Sequence, residues 1–156
     1  MEPMEVLGVE HIDLTVTDMK RSAIFYDKVL RVLGFKRLTD ADDDGHDARW
    51  GNAFMTIGIR PAAASSKSEA VDRYRVGFHH LALKAKTRTS IDGFHNFLMK
   101  EKLTVLDAPA EHPQYGENYY AVFFADPDGM KLELVHFPWG YWRRVQRDGS
   151  DPRPRS

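Results

Sequence analysis

Two octets decide the fold: VEHIDLTV at residues 9–16 and FHHLALKA at residues 78–85. In the first, His11, Asp13 and Thr15 alternate with Ile12, Leu14 and Val16. Side chains along a strand point to opposite faces in turn, so this period of two predicts a strand with one polar and one apolar face. In the second, His80, Ala82 and Lys84 alternate with Leu81, Leu83 and Ala85 in the same way. A helical stripe follows each octet. Behind the first, Asp18 offers an N-cap, Ala23, Tyr26, Val29, Leu30 and Leu33 recur at helical spacing, and Gly34 ends the run. Behind the second, Ser90 offers the cap, and Ile91, Phe94, Phe97 and Leu98 carry the stripe as far as Lys102.

Three short strand candidates follow each helix. In the first half they are residues 35–38, 48–50 and 53–59, the last two forming a hairpin around Gly51-Asn52. In the second half they are residues 103–106, 119–125 and 130–137, with Asp126-Pro127-Asp128-Gly129 as the closing turn. Residues 39–47 and 108–118 read as polar loops. The prediction is an α+β fold of two tandem βαβββ modules, residues 7–60 and 77–137, whose curved sheets enclose a cleft. Residues 61–76, rich in small and charged side chains, read as a linker, and residues 138–156 as a partly disordered tail. A repeat of this length outweighs any single local assignment. It sets His11 on His80 and Gly58 on Glu133.

The bulk numbers narrow the function classes. At 156 residues with 42% hydrophobic side chains, the chain can bury a core without disulfides or structural zinc. A net charge of −1 gives no electrostatic reason for nucleic acid or an anionic membrane as a partner. The absence of cysteine removes disulfides, thiolate metal sites and cysteine nucleophiles, and fits a reducing compartment. Acidic residues at the start, with no apolar run, do not make a signal peptide, and no stretch is long enough to span a bilayer. The expected location is the cytoplasm.

Chemistry is expected on the strand faces turned away from the helices. In the first half that face carries His11, Asp13, Thr15, Thr56 and Gly58; in the second, His80, Ala82, Lys84, Glu133, Tyr119 and Phe123. Two imidazoles and a carboxylate, His11, His80 and Glu133, make a reasonable site for one divalent metal, with positions left for water or substrate. Asp13 is a candidate base beside the metal or a group orienting a ligand. Tyr115, Tyr119 and Phe123 are candidate substrate contacts, as are Trp50 and Phe54, which equally suit a core. His46, His95, His112 and His136 read as structural or exposed. His79 points to the helix side by alternation, which favours packing. Asp126 and Asp128 read as turn formers.

EHIDLTVTDMKRSAIFYDKVLRVLGF at residues 10–35 resembles the opening of the vicinal oxygen chelate superfamily. FFADPDGMKLELVH at residues 123–136 resembles its closing hairpin, and the likeness spans about residues 7–137. The superfamily includes glyoxalase I, extradiol dioxygenases, fosfomycin-resistance transferases and bleomycin-binding proteins. The resemblance implies that His11, His80 and Glu133 are the metal ligands, with Glu133 also catalytic. Glyoxalase I has a further glutamate on the last strand of its first half, where this chain has Gly58 or Thr56. That departure favours the three-ligand pattern of extradiol dioxygenases and fosfomycin enzymes. The expected function is a divalent-metal enzyme (iron, manganese, nickel, cobalt or zinc) acting as lyase, isomerase or dioxygenase on a small substrate. The alternative is a non-catalytic small-molecule binder of the bleomycin-resistance type; a third reading makes the cleft surface only a protein interface. The resemblance also implies a homodimer.

Overall fold

The computed structural model describes residues 6, 8–39, 47–67 and 71–138. The chain divides into two compact units, Met1–Ala70 and Val71–Ser156. The expected tail and His46 lie outside the described residues. Among the described residues no helix is long and apolar enough to cross a membrane.

The first unit runs β1 (His11–Val16), α1 (Met19–Val32), β2 (Lys36–Thr39), β3 (Ala48–Gly51) and β4 (Thr56–Pro61). Its four-stranded sheet has the order β1-β4-β3-β2, with β1 parallel to β4 and the other neighbours antiparallel. The helix starts where the Asp18 carboxylate accepts from Arg21 N, 2.9 Å away. It stops before Gly34, whose φ of +87° lies in the left-handed region. Phe25, Tyr26, Val29 and Leu30 turn inward from α1, onto Leu14, Val16, Ile57 and Ile59 of the sheet.

The second unit repeats the order: β5 (Leu81–Lys84), α2 (Arg88–Lys100), β6 (Val105–Glu111), β7 (Tyr120–Ala125) and β8 (Lys131–His136). The sheet order is β5-β8-β7-β6, again with one parallel pair, β5 and β8. Ile91, Phe94 and Leu98 of α2 are buried, and Phe94 meets Phe124 edge-on at 5.1 Å. Asp126 Oδ1 accepts from the backbone N–H of Asp128 and Met130, so the closing turn is built by its own aspartate, as expected.

Three local expectations are corrected. Thr87, not Ser90, caps α2: its hydroxyl accepts from Ser90 N at 3.1 Å, and Ser90 sits inside the first turn. Residues 108–111, expected in a loop because of Pro109, belong to β6. That strand lies at the sheet edge and its pairing with β7 is irregular between Asp107 and Ala110, which is where a residue without an N–H is tolerated. Finally, β5 begins at Leu81, two residues after His79, so alternation does not govern His79, and that side chain is exposed rather than packed under the helix.

Candidate metal centre

Register places the side chains away from the helices in rows across each sheet. In the first unit Asp13 pairs with Gly58, and Gly58 with Arg49. In the second, Ala82 pairs with Glu133, and Glu133 with Phe123. The rows are repeat-related, yet their charge is arranged in opposite ways. The second row carries its carboxylate on the central strand. The first leaves the central position bare and carries opposite charges on the two flanking strands.

Gly58 lets those charges meet. A Cβ built there falls 2.3 Å from Asp13 Oδ1. Asp13 accepts from Arg60 Nε at 3.0 Å, and Arg49 Nη2 lies 3.4 Å from the same carboxylate. Asp47 closes the group, 3.2 Å from Arg49 and 3.7 Å from Arg60. Two guanidiniums thus balance two carboxylates, and Asp13 is engaged on both sides. His11, two residues before Asp13 on β1, is half-exposed; its Nδ1 bonds the Glu10 carboxylate, which leaves Nε2 available as a donor atom.

In the second unit Glu133 is 1% exposed, an unusual place for a carboxylate unless its oxygens are matched. Tyr119 donates to Oε1 at 2.5 Å, and His80 Nε2 lies 3.0 Å from Oε2. Burial, and then the bond to Glu133, push the Tyr119 phenol well above its ordinary pKa, so Tyr119 stays a donor. The Nδ1 of His80 faces the Nδ1 of His79 at 2.7 Å. Partial loss of solvent, and then the nearness of His80, Lys131 and Arg73, lower the His79 pKa. Four side chains therefore form one hydrogen-bonded line, Tyr119, Glu133, His80 and His79.

Around this line the sheet face is apolar. Ala121, Phe123, Val135 and Phe137 form a buried cluster with Tyr119 packed on it. Tyr115 meets Tyr119 at 5.3 Å between ring centres, and Lys131 Nζ sits 3.8 Å over the Phe123 ring. His112, read from sequence as structural or exposed, stands among Tyr115, Tyr119 and Phe123 at 5.8, 6.4 and 5.2 Å. Its Nε2 is buried without a hydrogen-bond partner among the described residues. The signal was its place in HPQYGENYY, but a lone histidine in a polar segment gives no face.

Two proposed substrate contacts sit elsewhere. Trp50 pairs with Ile57 on the helix side of the sheet and is fully buried, 6.1 Å from Tyr26, with Nε1 donating to Asp27 at 3.2 Å. It belongs to the core. Phe54 lies in the turn between β3 and β4 and is 86% exposed. Within either unit, no three histidine or carboxylate side chains gather as a metal cluster among the described residues.

The donor set fits a divalent ion. Two ligand atoms about 2.1 Å from one ion and at a right angle to each other stand roughly 3 Å apart. His80 Nε2 and Glu133 Oε2 already hold that spacing, at 3.0 Å. Imidazole and carboxylate suit several first-row metals.

The family model that matches is the Glyoxalase/Bleomycin resistance protein/Dioxygenase superfamily, over residues 8–134. The uncharacterized protein YqjT of Bacillus subtilis strain 168 is 30% identical over 127 residues, 81% of this chain and 97% of its own length. A solved protein from Bacillus halodurans, assigned to the glyoxalases, superimposes with a TM-score of 0.70 at 25% identity, covering 83% of this chain and 95% of its own. A glyoxylase/bleomycin resistance protein/dioxygenase domain from Frankia sp. EAN1pec gives a TM-score of 0.71 at 23% identity, over 86% of this chain and all of its own, 100%.

Proposed function

The chain belongs to the Glyoxalase/Bleomycin resistance protein/Dioxygenase superfamily, and from that premise we propose that it is a divalent-metal enzyme. In this reading His80 and Glu133 hold the ion. The observation that carries it is the matched spacing of His80 Nε2 and Glu133 Oε2 on a carboxylate that is otherwise buried. When bound, the ion supplies Lewis acidity to two neighbouring oxygens of a small substrate.

The chain's own residues divide the remaining work. Tyr119 takes one carboxylate oxygen and so fixes which of the two faces His80. The apolar face around Phe123 and Phe137 keeps water from the Glu133 carboxylate, which is 1% exposed, and strengthens the electrostatics there. Asp13, paired with Arg49 and Arg60, is a poor candidate for a free base and serves to anchor those guanidiniums. Gly58 occupies the repeat position of Glu133, so a flanking pair of carboxylates is not supplied there. That counts against isomerisation of a glutathione hemithioacetal and leaves lyase, isomerase or ring-cleaving dioxygenase chemistry on another small substrate.

Elemental analysis of tag-free protein tests the reading. One divalent metal per chain is expected, lost in Glu133→Ala and His80→Ala. Unchanged stoichiometry in both variants overturns it. A second reading, a non-catalytic binder of an aromatic molecule, draws on the rings of His112, Tyr115, Tyr119 and Phe123. Ligand binding that survives chelation, with no turnover, selects that one.

A further inference from the structure

The contact between adjacent histidines constrains protons in a way that concerns metal loading. Glu133 sits between two donors. Tyr119 gives its hydroxyl proton to Oε1, and Oε2 is 3.0 Å from His80 Nε2. A carboxylate only accepts, so the facing nitrogen of His80 carries a proton in this arrangement. The neutral imidazole, the form able to ligate a metal, has one proton on nitrogen. Nδ1 of His80 is then an acceptor, and the atom 2.7 Å away, Nδ1 of His79, is its donor. The line reads Tyr119 to Glu133 from one end, and His79 to His80 to Glu133 from the other.

A metal bound at His80 Nε2 requires that nitrogen to be bare. The proton must then sit on His80 Nδ1, which becomes the donor and needs an acceptor at the same place. His79 Nδ1 meets the need by carrying its own proton on Nε2 instead. We propose that His79 is a positioning residue for His80, and that the His79–His80 hydrogen bond reverses direction when metal replaces the Glu133 contact at Nε2. Each ring moves one proton from one of its nitrogens to the other through solvent. No proton is gained or lost, and the ring separation is kept. This rests on the metal-centre reading above. A ligating histidine whose second nitrogen is held in this way keeps its orientation and basicity, and loss of such a partner typically weakens metal binding about 10- to 100-fold.

The probe is Zn2+ alone, added to the full metal-free chain labelled with nitrogen-15 at histidine. In the metal-free protein we expect His80 protonated at Nε2 and His79 at Nδ1; with zinc, His80 protonated at Nδ1 and His79 at Nε2. Calorimetry of His79→Phe, which keeps a ring but has no nitrogen, should show zinc binding weaker by about 10- to 100-fold at unchanged stoichiometry. His79→Asn, whose amide offers either a donor or an acceptor near the old Nδ1, should stay within about threefold of wild type. His79 is exposed and precedes the strand, so both variants should fold. Equal affinity in wild type and His79→Phe, equal losses in both variants, or His80 protonated at Nδ1 before zinc is added would overturn the proposal while leaving the metal reading intact. Wild type that binds no zinc or other divalent ion overturns the metal reading and the reversal together.

Discussion

Gly58→Ala is the most direct test of the first unit's rewired row. The added Cβ would sit 2.3 Å from Asp13 Oδ1 and 3.3 Å from its Cγ. The oxygen must retreat by about 1 Å to reach ordinary contact distance. Retreat loosens the bonds to Arg60 at 3.0 Å and Arg49 at 3.4 Å. Those pairs are partly exposed, each worth about 0.2–1 kcal/mol, and overpacking adds on the order of 1 kcal/mol. Against this, alanine gains about 0.5–1 kcal/mol over glycine within a strand. The net expectation is a loss of about 1–2 kcal/mol. In an Asp13→Ala background the clash is gone and only the backbone gain is left, so the same substitution should stabilise by about 0.5 kcal/mol. The coupling between the sites is then about 1.5–2.5 kcal/mol. Urea unfolding of the four proteins, followed by circular dichroism, measures it. Gly58→Ala within about 0.5 kcal/mol of wild type, or the same loss in both backgrounds, would refute the account.

Other expectations follow from the same packing. Tyr119→Phe leaves one oxygen of a carboxylate that is 1% exposed without its donor, and should cost about 1.5–3 kcal/mol in urea unfolding of the metal-free protein. Thr87→Ala should cost about 1 kcal/mol and Ser90→Ala clearly less, because only Thr87 caps α2; equal losses would contradict the assignment. Trp50→Ala should cost about 3–5 kcal/mol, yet leave zinc affinity within about twofold, because the indole packs with Tyr26 in the core of the first unit, whereas His80 and Glu133 belong to the second. A large affinity change in a folded Trp50→Ala protein would contradict that placement.

Much of the fold was legible because strand alternation and helix stripes are local. Residues 11–16 and 81–84 carry their faces in their own order of polarity, and Asp18 and Gly34 mark helix ends by side-chain and backbone chemistry. The faces of shorter or irregular pieces depend on partners far along the chain. In ARWG no alternation separates Arg49 from Trp50 convincingly; pairing with Gly58 and Ile57 decides it. Pro109 read as a loop because edge position and bulges are tertiary facts. Glu133 was legible from the repeat, but the Tyr119 and His79 ends of its hydrogen-bonded line required a register and a strand start. The neutralisation of Asp13 joins residues 36 and 47 positions apart, which no local pattern predicts.

The opposite arrangement of charge in the two rows has an evolutionary consequence. Suppose a lineage came under selection for a carboxylate at position 58, to match Glu133. The substitution would land on Asp13's oxygen and disrupt two guanidinium contacts at once. Aspartate 13 must leave first, and its departure strands two arginines in turn. Each step alone is unfavourable, and only their combination restores a workable surface. Such sign epistasis acts as a ratchet: with the pair closed over the glycine, a symmetric pair of carboxylates lies across several poorer intermediates rather than one change away.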